Sequence, residues 1–176
     1  TLYINDIGQN HVEEVNIGLA GANYGWRIRE GTFATGFDVG IPFAGTVFEK
    51  LSAPEFVGPV AEYDHDEGNA IGGGYVYRGS AIPELYGKYV VADMVQGRLF
   101  YFDIHNLTPG KPALLKELRV FIDGREQGIR EAFGYPNTYA PGTLRADLRL
   151  GMDGEGELFL LTKGDGRVRR LIASES

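Results

Sequence analysis

The sequence predicts an all-β protein whose short strands group as blades of a radial sheet array, and three observations carry that prediction. Glycine is abundant, 26 residues of 176, and aromatic side chains make up 12% of the chain. That pairing suits many short strands joined by tight turns, with Tyr and Phe on half-buried sheet faces. The apolar runs are short, rich in Val, Ile, Tyr and Phe, and bounded by Gly or Asp-Gly instead of recurring at helical spacing. In order, four consecutive strand signals, a long loop and three further strands fit radial blades better than a two-sheet sandwich.

The first two strands are expected over residues 2–7 and 12–17, and residues 18–59 then carry the prolines and glycines of an irregular excursion. Strand signals return at 71–77, 89–92, 98–104 and 115–122. Residues 114–120 also have helical character, but Pro112 and Asp123-Gly124 flank them, which favours a strand. A second loop over 124–141 precedes strands at 147–151, 157–162 and 168–172. The last two enclose Lys163-Gly164-Asp165-Gly166, the clearest hairpin signal in the chain.

Composition removes several function classes. The formal charge of −7 argues against a phosphate-binding surface, so no nucleic-acid partner is expected. The basic run Arg167–Arg170 is short and reads as a solvated sheet face. Without cysteine, disulfide frameworks and thiolate metal sites are excluded. No apolar run approaches the roughly 20 residues that a membrane-spanning helix needs.

Two stretches are specific enough to carry a resemblance. Asp6-Ile7-Gly8-Gln9-Asn10, then Glu13-Glu14-Val15-Asn16, then Gly21-Ala22-Asn23-Tyr24-Gly25-Trp26 resembles the calcium-loop region of soluble quinoprotein sugar dehydrogenases. Tyr63-Asp64-His65, followed by Gly72-Gly73-Gly74-Tyr75-Val76-Tyr77-Arg78-Gly79, is similar to the glucose/sorbosone dehydrogenase branch that includes hedgehog-interacting-protein propellers. The tail from Asp153 to Leu171 resembles that family's last blade.

The resemblance implies the C-terminal part of a six-bladed β-propeller, about two and a half four-stranded blades. Residues 1–59 would form the end of one blade plus a long loop, 60–123 a full blade and 124–176 the last blade. A part-wheel leaves open sheet edges, so another copy or the missing N-terminal portion is expected to close it.

For the site, the resemblance implies a structural Ca²⁺ held by the Glu14 carboxylate and the Tyr24 backbone carbonyl, both hard oxygen donors. The alternative is that Glu13 and Glu14 are simply a strand's in/out pair, one of them solvated. Gly8 and Gln9 stand where the quinone enzymes present carbonyls to the cofactor's own calcium, with Gln9 replacing a proline. Those enzymes carry Arg-x-Arg-Asp near residue 147, whereas this chain has Leu144-Arg145-Ala146-Asp147. Arg145 is therefore the one guanidinium left as a candidate for pyrroloquinoline quinone, and it is out of phase with the motif. Arg98 is the nearest substitute for a lysine expected beside Gly97.

Asp64 and His65 are candidate pocket residues, His65 as base or ligand or as a hydrogen-bonded loop histidine. Counting Asp64 as position one of an EF-hand puts Tyr75 at position twelve, which excludes that loop. Trp26 is expected in core packing, with sugar stacking as the alternative, and Arg78 is expected to pair with a carboxylate such as Asp93. His11 and His105 read as surface loop residues. The resemblance implies a periplasmic or secreted parent that oxidises aldose-type sugars with a quinone and calcium. The alternative is a non-catalytic, calcium-stabilised propeller that binds a glycan or protein partner.

Overall fold

A computed structural model of the chain describes residues 1–35, 46–50 and 52–174. The chain divides into two compact units, residues 1–71 with 105–115 and residues 72–104 with 116–176.

In the first unit, β1 (Tyr3–Asp6) and β2 (Val12–Ile17) form a hairpin whose register sets Asp6 opposite Glu14. A second small sheet follows, built from β3 (Arg29–Glu30), β4 (Phe33–Thr35) and β5 (Thr46–Lys50). Then β6 (Ala61–Asp64) returns to pair with the free side of β2, Val12 opposite Asp64 and Val15 opposite Ala61. As the central strand, β2 is buried on both faces, and every residue from Val12 to Asn16 is buried, Glu13 and Glu14 included. The in/out alternative for the two glutamates does not hold, since neither is solvated.

The excursion over 18–59 thus holds a sheet of its own, although residues 36–45 and 51 within it lie outside the described residues. Its strands are two, three and five residues long. The two- and three-residue strands are too short for a period-2 signal to stand out.

Residues 105–115 lie across the segment before β6. The Gly110 N–H donates to the Pro59 carbonyl at 3.0 Å and the Ala113 N–H to the Val60 carbonyl at 2.7 Å. Here two backbones cross closely enough that a Cβ on Gly58 would sit 2.4 Å from the Gly110 Cα. Gly58→Ala is accordingly expected to cost about 1–3 kcal/mol by overpacking. Chemical denaturation reads this directly, and an unchanged midpoint would contradict the crossing.

In the second unit, β7 (Ile71–Val76, whose first residue belongs to the first unit), β8 (Lys88–Asp93), β9 (Leu99–Asp103) and β10 (Lys116–Glu117) form a four-stranded sheet in that spatial order. The strand expected over 115–122 is broken. After β10, β11 (Phe121–Ile122) pairs with β12 (Arg125–Glu126) as a separate hairpin. The cause is the Asp123-Gly124 pair, both at positive φ, 53° and 74°, a two-residue turn that folds the chain back on itself.

A four-residue helix, α1 (Ile129–Ala132), leads to the last sheet of β13 (Leu148–Met152), β14 (Leu158–Thr162) and β15 (Arg167–Arg170). The β14–β15 hairpin matches the sequence expectation, with Thr162 opposite Arg167.

The core of this unit takes alternate residues from facing strands: Val90 and Ala92, Leu148 and Leu150, Leu158 and Leu160, with Leu99, Ile129 and Tyr77. Period-2 spacing puts each pair on one sheet face. Two buried charges tie the loops to this core. The Glu157 carboxylate accepts from the Tyr77 hydroxyl at 2.7 Å, Ser80 N–H at 2.9 Å and Ala81 N–H at 3.0 Å, and Arg170 lies 3.3 Å away. Arg130 is wholly buried and donates to the carbonyls of Pro136 and Leu144, so residues 136–144 wrap around its guanidinium. Asp93, expected beside Arg78, instead accepts from the N–H groups of Val95 and Gln96. Arg78 is exposed and lies over the Tyr86 ring, 5.4 Å from its centroid.

Candidate functional site

The chemistry-bearing side chains of the first unit converge on the β1–β2 turn, and three glutamates shape it. Glu30, on β3, turns Oε1 toward the turn and accepts from the N–H groups of Asn10, His11 and Val12 at 2.9, 3.0 and 3.1 Å. Glu13 is fully buried on β2 and works as a hub. Its Oε2 accepts from Gly8 N–H at 3.2 Å and Ile71 N–H at 2.8 Å, and its Oε1 meets His65 Nε2 at 2.9 Å. Glu62, on β6, accepts from the Thr32 N–H and hydroxyl, both at 2.7 Å.

Glu14 is the exception. Its Oε1 accepts from Asn16 Nδ2 at 2.9 Å. Its Oε2 is buried and has no hydrogen-bond partner among the described residues, and the same is true of Asn16 Oδ1. Burial pushes the Glu14 carboxyl up to about 7, against the Asn16 hydrogen bond, and the negative charge of Asp6 adds to the push. Asp6 is itself raised, first by burial and then by Glu13 and Glu30. The Arg29 guanidinium works the other way on Glu14, without cancelling the effect of burial.

Beside Glu14 lies a cavity of about 300 Å³, lined also by Asp6, Gly8, Gln9, Trp26, Arg29 and Glu30. The structure thus gathers Gly8, Gln9 and Glu14 at one cavity, and Glu13 links His65 to the Gly8 amide. Asp64 closes a turn, its Oδ1 accepting from the Asp66 N–H at 2.9 Å. The His11 ring packs 6.2 Å from that of His65 and is half-buried, unlike exposed His105.

Trp26 is not core packing: it is 56% exposed at the cavity wall, in the turn that carries the chain from Tyr24 into β3. The Tyr24 carbonyl accepts from Arg29 Nε at 3.0 Å. The Tyr24 hydroxyl donates to the Ile17 carbonyl. Among the described residues, no three or more His, Cys, Asp and Glu side chains gather as a metal cluster. A cation here would need mixed carboxylate, amide and carbonyl donors.

Arg145 belongs to the other unit and is exposed, as is Leu144, while Ala146 is buried in the core. Arg98 pairs with Glu117 at 2.8 Å and covers the Phe100 ring. Sequence reasoning missed Asp6, Asn16, Arg29 and Glu30 as cavity or donor residues. The Glu14-x-Asn16 spacing did carry a signal, because residues two apart on a strand share a face. Arg29 and Glu30 carried none, lying in a two-residue strand inside the excursion.

Comparison with known proteins agrees with this architecture. The glucose/sorbosone dehydrogenase family model matches residues 1–137. The HIPL2 and HIPL1 proteins of Arabidopsis thaliana are each 38% identical over 95 residues, a match that takes in 51% of this chain and 13% of each plant protein. Among solved structures, the PQQ-bound aldose sugar dehydrogenase of Streptomyces coelicolor superposes with a TM-score of 0.59 at 19% identity. That match covers 97% of this chain and 39% of the other. A glucose dehydrogenase gives 0.60 at 20% identity, covering 98% and 40%. The apo-form soluble aldose sugar dehydrogenase of Escherichia coli gives 0.55 at 19%, covering 91% and 37%. The fold is accordingly all-β and that of part of a β-propeller. The chain spans about two-fifths of the length of these solved relatives.

Proposed function

Because the chain belongs to the glucose/sorbosone dehydrogenase family, we propose that it supplies the calcium seat and part of the pocket wall of a propeller that oxidises aldose-type sugars. The observation that carries this reading is the Glu14 Oε2, buried beside a cavity without a donor. A hard divalent cation satisfies such an oxygen and favours the ionised forms of Asp6 and Glu14, which burial disfavours. Glu14 would hold the ion, with the second lone pair of the Tyr24 carbonyl, beside the Arg29 hydrogen bond, as a further donor. The cavity has room for the waters that complete calcium's shell of oxygens.

A pyrroloquinoline quinone, when bound, would accept the hydride from the sugar. The residues of this chain fit it less well than they fit calcium. The Gly8-Gln9 turn lines the cavity and is pinned through Glu13, but the positions flanking Arg145 are Leu144 and Ala146. No pair of guanidiniums faces an anionic cofactor from this stretch, and no catalytic step is assigned to these residues. That mismatch favours a second reading, a non-catalytic, calcium-stabilised propeller with a glycan or protein partner. The 38% identity to the HIPL proteins supports the same branch. Either version is assigned to a periplasmic or secreted setting, and no helix among the described residues is long and apolar enough to cross a membrane.

Two measurements on the purified protein separate these claims. Calcium at about a hundred times its dissociation constant stabilises by about 2.7 kcal/mol, which raises the melting temperature by about 5–10 °C. No rise removes the calcium assignment. Adding the quinone with calcium to the full-length parent is expected to shift the cofactor's absorbance and support dye-linked sugar oxidation. Absence of quinone binding at tens of micromolar leaves the binding propeller as the surviving reading.

A further inference from the structure

Two buried oxygens on β2 share one predicament. Glu14 Oε2 and Asn16 Oδ1 both lack a hydrogen-bond partner among the described residues, and the two residues are only 7% and 1% exposed. Buried polar atoms of native proteins are nearly always paired, so two such oxygens on neighbouring side chains call for a common explanation. Spacing of two along a strand sets them on the same face.

The orientation of the Asn16 amide is not arbitrary. Its Nδ2 donates to Glu14 Oε1 at 2.9 Å. Turning the amide over would press its oxygen against a carboxylate oxygen, so the carboxylate itself dictates which end of the amide meets Oε1. The contact that spends the amide's NH₂ leaves Oδ1 unpaired, among the described residues, on a side chain bonded directly to the Glu14 carboxylate. Carboxylate and amide oxygens are both ligands that calcium takes. By contrast, the Tyr24 carbonyl already receives a hydrogen bond from the Arg29 guanidinium, a cation.

We propose that Asn16 is a donor residue of the Glu14 cation seat, its Oδ1 serving as the second side-chain ligand for Ca²⁺. The inference rests on the calcium reading above and deepens it by naming a ligand that the sequence resemblance did not. Asn16 then has two tasks: it fixes the Glu14 rotamer through Nδ2 and completes the donor pair through Oδ1.

The test is calorimetric titration of CaCl₂ into the EDTA-stripped protein, paired with melting curves in EDTA and in calcium. Asn16→Ala is expected to weaken calcium binding about 10–100-fold. Asn16→Asp sets two carboxylates side by side and removes the bridging donor. It is expected to melt lower than wild type in EDTA, yet to gain a larger calcium-induced rise. Wild-type affinity in Asn16→Ala, or a wild-type calcium response in Asn16→Asp, overturns the assignment. If Glu14→Gln loses binding in that same series, the calcium reading stands without Asn16. If the wild-type protein takes up no calcium to about 10 mM, well above the range of weak extracellular sites, both fail together.

Discussion

Glu157→Ala is expected to lower the melting temperature by on the order of 10 °C. The carboxylate is the acceptor for a buried phenol and two backbone N–H groups, and it sits beside Arg170. Removing it strands the buried Tyr77 hydroxyl and strips the acceptor from the part-buried loop amides of Ser80 and Ala81. Tyr77→Phe deletes only one of the bonds and is expected to fall well short of that loss.

The same carboxylate gives a pH signature. The Tyr77 hydrogen bond, helped by the Ser80 and Ala81 amides and by Arg170, pulls its pKa down to about 2 from an ordinary 4.5. A depressed folded-state pKa means the unfolded chain binds the proton more readily. The stabilisation is therefore complete above about pH 4.5 and drains away as the pH falls toward 2. Acid titration of the unfolding midpoint reads this directly. Glu157→Gln is expected to flatten that limb of the curve, and an acid limb identical to wild type would show that the carboxylate is not responsible.

Glu30→Ala is expected to cost about 3 kcal/mol, since three backbone N–H groups lose their acceptor at about 1 kcal/mol or more each. The effect is local as well as global. Asn10, His11 and Val12 hold the turn that carries Gly8 and Gln9, so hydrogen exchange over residues 8–12 is expected to quicken even in native conditions. Glu30→Gln keeps one carbonyl oxygen toward the same amides and is expected to recover much of the loss. Unchanged exchange in Glu30→Ala would mean that the turn is held by something else.

Much of this fold was legible wherever strands are long and apolar. β2 lies where its Val-rich edges predicted, and the β14–β15 hairpin follows from its glycine-bearing connection. What could not be read is tertiary. β6 is only Ala-Glu-Tyr-Asp, and its status as a strand comes from the partner it finds on β2.

The site shows the same division. Glu14 was visible as a motif residue, but that its Oε2 finds no partner among the described residues is a property of the packed sheet and not of any spacing. Trp26 was misplaced because hydrophobicity predicts burial only on average, and a turn at a cavity rim holds this indole out. Arg78 found a ring instead of a carboxylate because Asp93 was already engaged by the turn that follows it.

One topological fact bears on how the first unit assembles. The β1–β2 ribbon is local and can zip up within about 1–10 μs, whereas its outer neighbour β6 arrives only after the chain has traversed residues 18–60. Closing so long a detour is entropically uphill until the far strand registers, so this half is expected to mature late. Until then Glu13 waits in water for the Ile71 amide. Pulse-labelling during refolding is expected to catch residues 3–17 protected well before 61–71.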